Sequence, residues 1–350
     1  MNMLQRLTLA LLILGAAVTS HAGTGLMELP GLPGDGPVTV FYPSSSADEL
    51  VQRGPFQLQL AWQGTATPGN GRLIVITHGS GGNPWVHTDL ARALVAAGFV
   101  VALPEHAGDN SKDPSTPGPE SWKRRPREVS HAIDTVAQDT RLAPLLVLDK
   151  VGVFGGSAGG HTALTLAGGA WSPARFRDHC EAHIADDFSS CVGFITRLHG
   201  NILDGLKKWF ALAVIRHRFG DDTAYTHQDP RIQAAVASVP FAADFDMATL
   251  AHPRIALGLV TAGMDVNQVP RFHSDAVLAA CQDRCTHVAH LPDASHGAML
   301  SPMPPLHLLS DVQTALLGDP PGFDRKVLPE VDARIVAFFA QHLLPVAATR

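Results

Sequence analysis

The chain has few charges, few cysteines, no basic block and no apolar run after its N-terminus long enough to span a bilayer. Charged residues make up 17% of the 350, and the formal net charge is −6. A surface built to neutralise phosphates is therefore missing, which argues against nucleic acid as a partner. Stable membrane insertion is not expected either, since a span needs roughly 20 consecutive apolar residues. The 4 cysteines are Cys180, Cys191, Cys281 and Cys285, and neither sequence-local pair has the C-x-x-C spacing of a zinc site. No linker interrupts the chain, so a single large domain is expected over 23–350.

What is present at the N-terminus has the form of an export signal. Arg6 precedes an apolar run from Leu7 to Val18, followed by Ser20-His21-Ala22. That order predicts a signal peptide over residues 1–22, cleaved after Ala22, and a secreted or periplasmic protein. No cysteine closely follows the run, which disfavours a lipid anchor. In an oxidising compartment the even cysteine number predicts two disulfides, with three possible connectivities. Sequence-local pairing, Cys180–Cys191 and Cys281–Cys285, is the expectation, and four free thiols are the alternative.

Short apolar runs alternate with helical periodicity, the pattern of an α/β fold with a mostly parallel central sheet flanked by helices. Strands are predicted at Val38–Tyr42 and Phe56–Trp62, antiparallel at the sheet edge, and at Arg72–Thr77 and Val100–Leu103. Further runs are Val151–Phe154, Ala234–Val239, Ile255–Thr261 and His287–Leu291. Val129, Ile133 and Val136 share a helical face, as do Val331, Ile335, Phe338 and Phe339. Two stretches exceed simple crossovers, 173–229 and the Pro- and Leu-rich 301–324. Both are expected to form lids or pocket walls.

The strongest motif is Gly155-Gly156-Ser157-Ala158-Gly159 between a strand run and the helix-forming Thr162–Ala167. G-x-S-x-G in that context is a strained strand-to-helix turn that presents a serine nucleophile. The flanking glycines are needed because side chains there would strike the neighbouring strand or helix. A second glycine-rich loop, His78-Gly79-Ser80-Gly81-Gly82, follows the strand ending at Thr77. Acyl transfer builds charge on the former carbonyl oxygen, and preset backbone donors stabilise it. The amides of Ser80 and Ala158 are the expected donors.

Serine needs an adjacent base. Among the 18 histidines, His296 follows the last strand, where the base of such a site is expected. His290 lies inside that strand and is expected to pack, and His161 is expected to point away from the serine. Asp265, after the strand Ile255–Thr261, is the expected acid, with Asp244 and Asp246 as alternatives. The order Ser157, Asp265, His296 is that of α/β hydrolases. The helix expected within Leu203–Phe219 gathers apolar residues on one side, and Trp209 and Phe210 are candidates for a substrate-pocket wall.

Together these motifs resemble the dienelactone-hydrolase-like and platelet-activating-factor-acetylhydrolase-like branch of the α/β hydrolases. The resemblance spans Val38-Thr39-Val40-Phe41-Tyr42-Pro43, the His78–Gly82 loop, Trp122 with Arg125-Pro126-Arg127-Glu128-Val129, and Gly156–Gly160. It continues through Arg175-Phe176 to Cys180 and Cys191, Ala262–Asp265 and Ser295-His296-Gly297. It implies an α/β-hydrolase fold with a helical lid at about 173–229. The implied activity is cleavage of small-molecule or lipid-like carboxylic esters through an acyl-enzyme, with no metal or organic cofactor required. True dienelactone hydrolases use cysteine where Ser157 stands, so a dienelactone substrate is not implied. The alternatives are an amidase or peptidase using the same residues, and a non-catalytic ligand-binding relative.

Overall fold

The computed structural model describes residues 23–193 and 195–345; the expected signal peptide lies outside them. Ten described strands form one mixed sheet flanked by helices. At its N-terminal end are β1 (Gly23–Leu29), β2 (Val38–Ser44), β3 (Glu49–Arg53) and β4 (Phe56–Trp62). The rest are β5 (Leu73–Thr77), β6 (Val100–Pro104), β7 (Val151–Gly156), β8 (Ile232–Ser238), β9 (Ala256–Ala262) and β10 (Cys285–Leu291). The order across the sheet is β10-β9-β8-β7-β5-β6-β2-β1-β4-β3. From β10 to β6 all neighbours run parallel. β5 to β9 are almost wholly buried, which is why their sequences are continuous apolar runs without alternation.

The antiparallel end differs from expectation. β2 and β4 do not pair and β2 is not at an edge. β1 lies between them, antiparallel to β2 and parallel to β4, while the β3–β4 pair forms the margin. β1, with two glycines in Gly23-Thr24-Gly25, and the mostly polar β3 carry little apolar signal of their own. β3 is placed by its hairpin with β4, and β1 by its antiparallel pairing with β2 and a short parallel pairing with β4.

The helices are α1 (Thr88–Ala96), α2 (Pro119–Gln138), α3 (Ala158–Leu166), α4 (Pro173–His183) and α5 (Phe188–Val192). They continue with α6 (Leu203–Arg218), α7 (Met247–Leu250), α8 (Ser274–Cys281), α9 (Asp311–Leu317) and α10 (Leu328–Leu343). On one face Leu90 and Leu94 of α1 and Ile335 and Phe339 of α10 pack with Ile74, Ile76 and Phe154. On the other, Val129 and Ile133 of α2 and Leu164 of α3 pack with Leu73, Val75 and Val153. The period-2 alternation of strand side chains sends Val153 and Phe154 to opposite layers.

The 173–229 stretch contains α4, α5 and α6. Cys180–Cys191 ties α4 to α5 with Cα atoms 5.8 Å apart, and Cys281–Cys285 spans 5.7 Å at the end of α8. Both sequence-local pairings are therefore present. Among the described residues no helix is long and apolar enough to cross a membrane.

Candidate functional site

Four loops meet at the C-terminal ends of the parallel strands, the side on which open α/β sheets place their ligand crevices. They follow β5, β7, β9 and β10 and hold His78–Gly82, Ser157, Asp265 and His296. Ser157 joins β7 to α3 with φ +56° and ψ −117°, a left-handed conformation that costs a non-glycine residue about 1–3 kcal/mol. The turn is held because the Ser157 N–H donates to the Ser238 carbonyl at 3.0 Å, and the Ser157 carbonyl accepts from His161 and Phe241. A Cβ on Gly155 would lie 2.0 Å from the Gly159 carbonyl oxygen, and one on Gly159 would lie 1.9 Å from that of Thr77. The motif's two outer glycines are thus obligatory for the strand-to-helix approach.

The Asp265 carboxylate accepts from His296 Nδ1 at 2.7 Å through Oδ2 and from the N–H groups of Asn267 and Gln268, both at 2.8 Å, through Oδ1. These bonds fix the carboxylate, and Asp265 fixes the ring: with its proton on Nδ1, neutral His296 presents an accepting Nε2. His296 and Ser157 line the same cavity of about 380 Å³. No direct hydrogen bond joins them among the described residues; such bonds are often long before substrate arrives.

The rival aspartates are engaged elsewhere. Buried Asp244 contacts His161 Nε2 at 3.1 Å, and His161 sits between Trp122 and Trp171 at ring distances of 4.9 and 4.7 Å. Asp246 caps α7 and pairs with Arg175. His290 is not packed in the interior as expected. It lies on the exposed side of β10, the sheet's last strand, and shares the Thr261 hydroxyl with His287.

The glycine loop is braced from behind by residues that sequence alone did not single out for this task. A Cβ on Gly79 would lie 3.4 Å from Ser157 Cβ and 3.9 Å from its Oγ, which places the loop against the serine. Fully buried Arg125 donates to the His78 carbonyl and to Asp109 Oδ2 at 2.8 Å. Asp109 in turn accepts from the Ser80 hydroxyl at 2.5 Å and the Gly81 N–H at 3.1 Å. Burial alone would push the Asp109 carboxyl up, but the Arg125 charge and these hydrogen bonds hold it below its usual range.

His78 is the loop's internal strut. The His106 N–H donates to its Nε2, so its Nδ1–H donates to the Gly79 carbonyl at 2.8 Å. Burial, with His106 and Arg125 adding to it, pushes the His78 imidazole well down and keeps it neutral. Among the described residues neither the Ser80 N–H nor the Ala158 N–H donates a hydrogen bond. Both remain available to an incoming oxygen.

Trp209 and Phe210 are not at the cavity. They lie on α6 with 66% and 63% of their surface exposed, and none of the described residues of 173–229 lines the space beside Ser157. The apolar lining includes instead Phe56, Val86, Met299, Leu308, Leu309 and Leu317, part of it from the second long stretch. α6 rests on α4 and α5, and its Leu206, Trp209 and Phe210 are exposed.

One group elsewhere resembles a metal set: His179, Asp187 and His273 offer ligand atoms within 4.8 Å of one another. The chemistry does not fit a cation. The Ala242 N–H donates to His273 Nδ1 at 2.9 Å, so the ring proton sits on Nε2 and points at Asp187. Burial would raise the Asp187 carboxyl, but the hydrogen bonds from His179 and His273 outweigh it and hold it well below the usual range. The trio clamps α4 and α5 to the chain before α8.

No protein-family model matches the chain, and no curated protein matches it. The roles of these residues therefore rest on geometry and chemistry.

Proposed function

We propose that this chain is a serine hydrolase of the α/β-hydrolase fold that cleaves carboxylic esters. The observation that carries the reading is Ser157 on a strained strand-to-helix turn, opening into the same cavity as a His296 oriented by Asp265. In this reading Ser157 Oγ attacks the ester carbonyl carbon while its proton passes to His296 Nε2. The Ser80 and Ala158 N–H groups receive the oxyanion, and the helix dipole of α3 favours the same charge. Collapse expels the alcohol, which takes the proton from His296. Water, activated by the same imidazole, then releases the acid.

The mainly apolar cavity wall supports an acyl or alcohol chain of hydrocarbon character. The two disulfides support residence in an oxidising, exported compartment. Fluorophosphonate treatment followed by peptide mapping tests the nucleophile, and the expected adduct is on Ser157 alone. Paired aryl ester and anilide substrates test the bond cleaved; faster anilide turnover would replace the esterase reading by an amidase one.

A further inference from the structure

The cavity wall holds two polar side chains that the ester reading does not use. His87 ends a short 3-10 turn before α1, is 2% exposed, and lines the cavity with both ring nitrogens unpartnered among the described residues. Ser238, the last residue of β8, is fully buried, lines the same cavity, and has a hydroxyl without a partner among the described residues.

The sheet brings the two together. Ser238 is the register partner of Gly156, and side chains of paired parallel residues point to the same face. A Cβ on Gly156 would lie 3.9 Å from His87 Cε1, so the imidazole covers that face of Gly156. Two positions back along each strand, on the same face, Phe154 and Val236 lie in the α1-side core layer, and the Phe154 ring meets the His87 ring edge-on at 6.0 Å. His87 and Ser238 therefore flank Gly156, immediately before the serine.

A buried donor or acceptor without a partner is destabilising and favours a ligand that supplies one. Two such groups at one spot, in a mainly apolar cavity that Val86, Val239 and Met299 also line, make a localised polar patch. Burial also holds the His87 imidazole down to about 4, so it is neutral near pH 7 and offers one donor and one acceptor. A neutral pair suits an uncharged oxygen function and not a carboxylate, which would need a cation.

We propose that His87 and Ser238 form a polar subsite that hydrogen-bonds an uncharged oxygen on the acyl chain. The favoured substrates are then acyl esters bearing a second ester carbonyl, in preference to plain alkanoates. This rests on the esterase reading and names its substrate class. The imidazole N–H and the serine O–H donate to the carbonyl oxygen, while the apolar wall holds the intervening methylenes.

The test compares p-nitrophenyl esters of monomethyl diacids, from succinate to adipate, with alkanoates of equal chain length. Wild type should favour one diacid member at least fivefold in kcat/KM. In His87→Phe and Ser238→Ala the ratio should fall towards one, and His87→Gln, which keeps a donor, should restore part of it. A ratio is unaffected by the fraction of protein that folds, so a poorly folded variant still reports. A wild-type ratio near one along the series, or a ratio unchanged in both variants, overturns the subsite while leaving the esterase reading standing. Wild type that hydrolyses neither series and leaves Ser157 unlabelled overturns the esterase reading, and the subsite with it.

Discussion

Two histidine–aspartate pairs involve aspartates at the ends of neighbouring strands. Asp265 follows β9 and meets His296; Asp244 follows β8 and meets His161. Both pairs are buried. They differ in what surrounds the imidazole. His296 opens into the cavity with Ser157, and both oxygens of its aspartate are hydrogen-bonded. His161 is enclosed by Trp122, Trp171 and Phe245, and Asp244 Oδ1 has no partner among the described residues. A histidine–aspartate contact becomes a candidate for proton transfer only where its outer nitrogen reaches a space that substrate can enter. Where aromatic rings close that space, the same contact is packing.

The largest contrast should appear on removing each imidazole. His296→Ala should lower ester kcat by about 10³-fold or more with little change in melting temperature. His161→Ala should unfold more easily, by about 3 kcal/mol, because it strands a buried carboxylate, while kcat per folded molecule stays within a few-fold. Active-site titration beside thermal melts reads both. A His161→Ala protein that is stable but inactive would reverse the two roles.

A smaller effect should come from the brace behind the glycine loop. Arg125→Met leaves Asp109 buried without its cation and frees the His78 carbonyl. The loop amides should lose their preset aim, so kcat should fall about 10-fold to 100-fold with KM little changed. Equal kcat in a folded variant would show that the loop holds its shape without Arg125.

Smaller again is the shift expected at the cavity wall. Leu309→Ala should change the preference between short and long acyl esters severalfold. Trp209→Ala and Phe210→Ala, far out on α6, should leave the chain-length profile flat within twofold. A profile that follows Trp209 would bring α6 back to the site.

The smallest effect is one of stability. Burial, reinforced by the charge of Asp89, pushes the Asp332 carboxyl on α10 up to about 7. The folded state thus binds this proton more tightly than the unfolded chain, whose aspartates titrate near 4. The resulting stabilisation is complete below about pH 4 and lost as pH rises through about 7. Asp332→Asn should therefore gain a few degrees of melting temperature relative to wild type at pH 8, and less at pH 5. A gain larger at pH 5 would contradict this sign.

How much of this was legible in the sequence depends on how local each signal is. Ser157 was legible because strand, glycines and helix are contiguous. His296 was legible by position after the last strand run. Asp265 was favoured by chain order, but only the 2.7 Å contact separates it from Asp244. Arg125 and Asp109 escaped assignment because their work is done across long loops, Arg125 reaching a carbonyl 47 positions away. His87 and Ser238 are single residues whose meaning lies in lacking a partner, which no spacing encodes. Trp209 and Phe210 misled because helical periodicity reports that a face is apolar without reporting what lies opposite. The Pro- and Leu-rich stretch has no such periodicity, yet it supplies part of the apolar wall.

In the proposed reaction Asp265, and not Asp244, orients the base that activates Ser157. Pre-steady-state acylation by an aryl ester, measured in Asp265→Asn beside Asp244→Asn, tests it most directly. Asparagine at 265 should reverse the imidazole tautomer and slow acylation about 10³-fold to 10⁴-fold, with the fold retained. Asparagine at 244 should leave the acylation rate of folded protein within a few-fold of wild type. Fast acylation in Asp265→Asn together with slow acylation in Asp244→Asn would contradict the assignment.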